Sequence, residues 1–392
     1  MIGPTGAGKT KSVLVPWIAS ALRQGHCVVA IDVGGDLLDD LMIHRSATGA
    51  LGAKVSKWDY SQPNDSIGWD WLASLDDDES MIAAVDAIHG KPRPNDSQPF
   101  FHQRDARVLR GVLELARGTG AARTGRDLLE LARDGSRLSA LVSANPRHPG
   151  ASRLTDVVAQ QTGTYQQMMS GVINDLEIWD NRGLEAVTRS GGLRLDSFFD
   201  EPRLLVVGAP IHGGRISEAA SGLLLSQIIN RLYRRFNTLE GQHVFLIIDE
   251  AARLIGRIPI EELLSVSRRA RVSVVIATQD VGQFNDEDER LAILGNCATY
   301  VSLPSRSSAN GEYLSSRLGH RFQTATSISQ GPSLQTQAYG GLTVSSSTSQ
   351  VPVLGTREIL DPPWGERAAI VHCQPMVGKP FLVDLTRPEF LA

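Results

Sequence analysis

Residues 3–10 read Gly3-Pro4-Thr5-Gly6-Ala7-Gly8-Lys9-Thr10, and no other stretch limits the fold as much. This is the G-x-x-x-x-G-K-T pattern of a phosphate-binding loop. Glycines at 3, 6 and 8 allow backbone conformations that a Cβ would forbid, so successive N–H groups can turn inward toward phosphate oxygens. Lys9 brings a positive charge to the β- and γ-phosphates. The Thr10 hydroxyl is placed to hold Mg²⁺, and a following helix would aim its positive end at the same anion. The plain alternative is a glycine turn with a chance lysine. Such a loop should follow a buried strand, yet only Met1 and Ile2 precede it. The expectation is a chain cut upstream, or a start placed too late, with the first strand missing.

Residues 11–59 read as an α/β unit. Val13, Leu14, Trp17, Ile18, Ala21 and Leu22 recur at helical spacing, Pro16 should kink that helix, and Gly25 should end it. Cys27–Asp32 is an almost wholly apolar run, as a central parallel strand shows. A short helix over 36–45 and a strand over Ala53–Asp59 come next. Trp58, Trp69 and Trp71 crowd this region and suit core packing better than base stacking. Later strands are expected at Leu204–Val207, Val244–Ile248, Val272–Ala277 and Thr299–Leu303, with a long helix over 217–236. Strands alternating with helices imply a mostly parallel sheet covered on both faces.

Between about 76 and 178 the character changes. Asp76-Asp77-Asp78-Glu79 suits a helix start. Beyond it the pattern is helical, with apolar faces at Val108, Val112, Leu113 and Leu115, then Leu128, Leu129 and Leu131. Loops over 90–99 and 144–151 carry Pro and Gly. Residues 102–137 hold eight arginines, no lysine and five acids. That is a solvated helical surface or a modest nucleic-acid-facing one. The domain reading is a nucleotide-binding part over 1–75, an all-helical insertion over 76–178 and the rest of the nucleotide-binding domain over 179–392. Residues 323–350, rich in Ser, Thr, Gln and Gly, read as a loop or edge ribbon. Val353–Leu360, Ala368–Val371 and Pro380–Asp384 are further structured pieces.

Composition narrows the class. The 392 residues suffice for two or three cores, 42% hydrophobic and 21% charged content is ordinary for a soluble protein, and a net charge of −4 argues against a wholesale nucleic-acid wrapper. Cys27, Cys297 and Cys373 form no C-x-x-C pair, so reduced thiols are expected rather than zinc or redox chemistry. No apolar run reaches the roughly 18–20 residues that span a bilayer, and no signal peptide is visible. Alone, the chain reads as soluble and cytoplasmic.

Hydrolysis needs more than a phosphate loop. Val244–Ile248 runs into Asp249-Glu250, which delivers two acids to the end of a buried strand, where ligands bind in such sheets. Asp249 is the candidate for the Mg²⁺ shell and Glu250 for the base that activates water. Gln279, after the next strand, is the candidate γ-phosphate sensor; a loop or capping amide is its alternative. Arg268-Arg269-Ala270-Arg271 is either a surface basic cluster or a source of transition-state charge.

These segments together resemble the coupling proteins of type IV secretion and conjugation, the VirD4, TraG and TrwB kind. The phosphate loop with Pro16 in the next helix is similar. So is Phe245–Asp249-Glu250-Ala251, leading through Leu254-Ile255-Gly256 to Pro259, which resembles that family's DE-x-x-x-L-G-x-x-P. Gln279-Asp280-Val281-Gly282-Gln283-Phe284 resembles its Q-x-x-x-Q-L segment. Ile293–Cys297, Leu314–Gly319, Pro352-Val353-Leu354 and Glu358-Ile359-Leu360 match later landmarks, and the helical insertion sits where that family places one. The family's D-P-K-G-E is here Asp32-Val33-Gly34-Gly35-Asp36, without the lysine. Its N-terminal membrane helices do not appear in this chain.

The resemblance implies a P-loop NTPase of the RecA/FtsK kind, using ATP and Mg²⁺ at the cytoplasmic face of a bacterial inner membrane. It implies a homo-hexameric ring, single- and double-stranded DNA, relaxase or effector proteins and type IV secretion channel components as partners, and membrane attachment through an N-terminal segment. It aligns Arg268 with an arginine finger acting on a neighbouring subunit. Another ring-forming DNA translocase, FtsK- or VirB4-like, is the nearer alternative. An inactive remnant that binds proteins through the helical insertion is the more distant one.

Overall fold

The structure is a computed structural model that describes residues 1–48, 54–91, 99–189, 192–235, 241–254, 257–258, 260–284, 287–330, 342–365, 368–373 and 379–385. Ile255, Gly256 and Pro259 of the acidic segment lie outside the described residues. The described residues form two compact units, Thr10–Ala277 with Leu291–Asn296, and Met1–Lys9 with Thr278–Arg290 and residues 297–385.

The larger unit is organised on a five-stranded parallel sheet. Its strands are β1 (Cys27–Asp32), β2 (Lys54–Trp58), β3 (Arg203–Gly208), β4 (Val244–Ile248) and β5 (Val272–Ile276), in the order β2-β3-β1-β4-β5. Every residue of β1 is buried, the result of apolar side chains on both faces of a central strand. The helix after the phosphate loop begins with a π-helical turn over Lys9–Leu14 and becomes α1 (Val15–Arg23). Pro16 has no N–H to donate back along the helix, and the kink expected there takes the form of this wider turn. Gly25, at φ +79°, closes α1, and α2 (Leu37–Thr48) lies between β1 and β2.

From 78 until β3 the elements among the described residues are all helical: α3 (Asp78–His89), α4 (Pro99–Thr119), α5 (Gly125–Arg133), α6 (Gly135–Ala144), α7 (Pro149–Val158), α8 (Thr162–Leu176), α9 (Arg182–Val187) and α10 (Leu195–Phe198). Asp77 caps α3 by accepting the Ser80 N–H at 2.8 Å, and Asp76 and Asp77 pair with Arg231 and Arg234 of the next helix, α11 (Gly214–Arg234). So the acidic run starts a helix and also clamps it to α11. Gln227 in α11 donates to the Ser80 carbonyl at 2.9 Å. In α4 and α7, Gly150 lies so close to α4 that a Cβ there would stand 2.7 Å from the Gly111 carbonyl oxygen. Trp58, Trp69 and Trp71 are all buried; Trp58 meets Trp69 edge-on, and Trp71 stacks on Trp179 at 4.8 Å. Packing, not base stacking, is what these rings do. After β4, α12 (Ile260–Val266) leads to β5, and α13 (Glu287–Gly295) comes after it.

In the smaller unit, Ile2 bridges Thr278 on one side and Ser302 on the other, both in parallel. The residue just before the phosphate loop therefore occupies a strand position between two neighbours. The strands here are β6 (Thr299–Ser302), β7 (His320–Gln330), β8 (Leu342–Pro352), β9 (Ala368–Cys373) and β10 (Phe381–Asp384), with α14 (Ser308–Leu318) and α15 (Thr356–Leu360). β6, β9 and β10 pair antiparallel with one another, while the Ile2 bridge to Ser302 of β6 is parallel. The polar stretch expected as a loop or ribbon is a two-stranded antiparallel ribbon, β7–β8. Cys27, Cys297 and Cys373 are free thiols. No described helix is long and apolar enough to cross a membrane.

Candidate nucleotide site

In the smaller unit, the phosphate loop is held by backbone pairing. Ile2 N–H donates to Val301 at 2.8 Å, Gly3 N–H to Thr278 at 3.1 Å, and Thr278 N–H to Met1 at 3.0 Å. The glycines have two different reasons. Gly6 (φ +79°) and Gly8 (φ +86°) hold left-handed conformations. Gly3 does not; a Cβ there would lie 2.9 Å from the Leu303 Cβ, so its role is close approach. A Cβ at Gly6 would meet nothing within 4 Å, so its glycine is required by the left-handed backbone and not by crowding. Lys9 is 6% exposed, and its Nζ donates to the Gly3 carbonyl at 2.6 Å and to the Pro4 carbonyl at 3.3 Å. A buried ammonium needs such acceptors, and a phosphate can replace them.

The same unit carries Gln279. Its carbonyl accepts from Asn310 Nδ2 at 3.1 Å, and Asn310 Oδ1 accepts the Val281 N–H at 2.8 Å. Gln283 Oε1 accepts from Thr278 Oγ1 at 3.0 Å, while Asp280 Oδ1 accepts the Gly282 N–H at 2.7 Å. Gln279 therefore stands on a turn fixed at four points. Asn310, 2% exposed, is the pin that sequence reading missed, because a lone Asn in a helix gives no signal.

The larger unit carries Thr10, Asp249, Glu250 and Arg268. Thr10 Oγ1 lies 3.4 Å from Asp249 Oδ2, joining residues 239 apart in sequence. That is long for an O–H···O bond, so its energetic weight is small. Its meaning is positional. Thr10 and Asp249 would be the residues that hold Mg²⁺, since a hydroxyl with a carboxylate is the hard-oxygen donor set that this ion takes. These residues fit the metal. Asp249 Oδ1 also accepts the Glu250 N–H at 3.0 Å.

Glu250 itself sits at φ 50°, ψ 44°, one of two non-glycine residues with positive φ among the described residues. Before it, Ala277 N–H donates to Ile248 at 2.9 Å; after it, Ala251 N–H donates to Ala277 at 3.0 Å. These two bonds pin the chain on either side and force the left-handed step between them. Holding an L-residue there costs about 1–2 kcal/mol.

Arg268 is exposed and precedes β5. β4 and β5 run parallel in register, Val244 beside Val272 and Ile248 beside Ile276. The acids follow the far end of β4, so about 16 Å of strand lies between Arg268 and the acidic pair of its own chain. The structure brings Thr10 to Asp249, and that length of strand keeps Arg268 from the acidic pair. Asp32, in the position of the altered D-P-K-G-E segment, is 5% exposed and accepts the Gly35 and Leu37 N–H groups at 2.7 and 3.2 Å. Burial pushes its carboxyl above the usual range against the pull of those two donors.

A parallel sheet, a phosphate loop and an acidic strand end define the P-loop NTPase fold class. The profile of the family described as Type IV secretory system Conjugative DNA transfer matches residues 1–362, and the chain belongs to that family. Among solved structures, the bacterial conjugative coupling protein TrwBdeltaN70, unbound, is similar with a TM-score of 0.73 at 15% identity over 97% of this chain and 83% of that one. TrwB in complex with the non-hydrolysable ATP analogue ADPNP gives 0.71 at 16% identity over 98% and 83%. TrwB with ADP and Mg²⁺ gives 0.69 at 15% over 98% and 84%. At such identities the likeness is one of fold. No curated protein sequence matches this chain.

Proposed function

We propose that this chain is an ATP-hydrolysing motor that drives single-stranded DNA toward a type IV secretion channel during conjugation. The observation that carries the proposal is the approach of Thr10 Oγ1 to Asp249 Oδ2, at the end of a loop whose Gly6 and Gly8 are left-handed. The loop N–H groups and Lys9 would bind the triphosphate, and Thr10 with Asp249 would hold Mg²⁺. Bound Mg²⁺ supplies positive charge to the phosphate oxygens. Glu250 would orient and deprotonate the attacking water, and Gln279 would sense the γ-phosphate. TrwB structures that hold an ATP analogue, and ADP with Mg²⁺, support this choice of nucleotide and ion.

The exposed position of Arg268, at the opposite end of the sheet from its own acids, supports its use on a neighbouring copy in a ring of six. In this reading residues 76–178 are a helical insertion between nucleotide-binding parts 1–75 and 179–392. Cargo would be a relaxase–DNA complex or an effector protein, and the motor would work at the cytoplasmic face of the inner membrane. Contacts to DNA phosphates would dominate, so binding should weaken steeply with salt and show little sequence preference. The test is Mg²⁺-dependent ATP turnover with and without single-stranded DNA. DNA should stimulate the native chain, and Lys9→Ala should lower turnover at least 100-fold. DNA-stimulated turnover retained in Lys9→Ala would overturn the assignment.

A further inference from the structure

The β7–β8 ribbon has no part in the nucleotide site. Its two strands pair over eleven residues each in one unbroken register, from His320 opposite Pro352 to Gln330 opposite Leu342. Neither strand pairs with any other, so among the described residues both outer edges are open. Its root is anchored: Val353 N–H donates to Gly319 at 2.9 Å, and Ser315 Oγ donates to the Leu354 carbonyl at 2.7 Å. Beyond the root it stands in solvent, with residues 321–329 and 344–350 all exposed. Hydroxyl pairs line both faces, Thr324 with Thr348 at 3.3 Å on one and Ser327 with Ser345 at 2.6 Å on the other. The first of these faces also carries Phe322, Ile328 and Val344, which are 80%, 66% and 62% exposed.

Open edges are usually guarded by charge, proline, a bulge or shortness. Apart from Arg321 and Pro352 next to its root, neither strand has any of these. No Asp, Glu, Lys or Arg occurs in the 35 residues from Phe322 to Thr356, and the pairing has no bulge. An unguarded edge of this length is one that the working assembly covers. We propose that the cover is a second copy of this chain, with the outer edge of β8 pairing antiparallel to the outer edge of β7 of the next copy.

The chemistry favours that occupant. A nucleic acid needs several cations, and the ribbon offers only Arg321, next to its root. A charged peptide would find no other complementary charge. Edge pairing uses the main chain alone, and an identical edge sets hydroxyls beside hydroxyls without like-charge repulsion. The order β7-β8-β7-β8 across copies also continues the alternation of the hairpin itself. Each strand is about 36 Å long and a sheet about 10 Å thick, so edge pairing would cover roughly 350 Å² per copy, under half of the about 800 Å² that a stable interface buries per partner. The ribbon thus joins copies that other contacts already hold together. The inference does not rest on the nucleotide reading, and its test reads no turnover.

The test is oxidative cross-linking of the purified full-length chain. Thr326→Cys on β7 and Ser346→Cys on β8 are made separately, tagged differently and mixed, with the native chain and its three cysteines as background. Mixed disulfide dimers are expected at least tenfold above that background. Adding Ser345→Lys with Ser347→Lys to the β8 variant should lower their yield about tenfold while leaving circular dichroism unchanged, because both sites are exposed. No cross-link above background, only like-with-like dimers, or a yield indifferent to the lysines would each overturn the proposal.

Discussion

Two substitutions at Glu250 separate strain from chemistry. Its left-handed backbone, φ 50° and ψ 44°, costs an L-residue about 1–2 kcal/mol relative to glycine. Glycine gives part of that back, since its freer unfolded chain costs about 0.4–1 kcal/mol. The difference leaves Glu250→Gly more stable than the native chain by roughly 0–1.6 kcal/mol, whereas the same change in an ordinary strand or helix would destabilise by about 0.5–1 kcal/mol. Glu250→Gln keeps the backbone and should leave stability unchanged. Both variants lose the carboxylate proposed as the base and should lose about 10²–10⁴-fold in ATP turnover. Urea unfolding and steady-state hydrolysis, measured on the same preparations, read the two effects. A Glu250→Gly chain destabilised by more than about 1 kcal/mol would refute the strain argument. A Glu250→Gln chain that keeps a tenth of native turnover would refute the base.

Three further outcomes are expected from the geometry. Arg268→Ala should lower turnover about 10³-fold, and mixing it with inactive Lys9→Ala should restore part of it, because a ring would pair intact fingers with intact loops; a mixture as inactive as its components would refute action between copies. Trp71→Ala removes a buried ring stacked on Trp179 and should cost about 3–5 kcal/mol in urea unfolding; a loss under about 1 kcal/mol would show that the stack is not part of the core. His89 is paired through Nδ1 with Asp175, which also pairs with Arg215. Burial alone would lower the His89 pKa, but the hydrogen bond and charge of Asp175 hold it above its ordinary value. The folded form therefore binds the proton more tightly, and that stability is full below about pH 6.5 and fades as pH rises through the raised value. Urea midpoints of the native chain and Asp175→Asn should differ most at pH 6 and less at pH 9, where the lost pairing with Arg215 remains; a constant difference would refute the linkage.

Much of this was legible in the sequence because it rests on short-range rules. Buried parallel strands are apolar throughout, so Cys27–Asp32, Leu204–Val207 and Val244–Ile248 could be read directly. The phosphate loop and the acidic pair are contiguous motifs. What could not be read depended on partners distant in sequence. Gly3 looked like a conformational glycine, and only the approach of Leu303 shows that it is a packing one. The left-handed state of Glu250 is imposed by Ala277, which bonds the chain on both sides of it. The placing of Arg268 away from its own acids depends on strand order and direction, which periodicity does not carry. Asn310 pins the Gln279 turn from a helix some thirty residues later. The ribbon was visible as a polar, charge-free stretch, but its length and open edges were not.

The central claim is that ATP turnover at Gly3–Thr10, Asp249 and Glu250 moves DNA. The most direct measurement is displacement of streptavidin from the end of a biotinylated single strand by the chain with Mg²⁺ and ATP. Displacement is predicted to require hydrolysable ATP, to fall with salt and to vanish in Glu250→Gln. Displacement by Glu250→Gln at the native rate, or none by a native chain that is turning over ATP, would contradict the account.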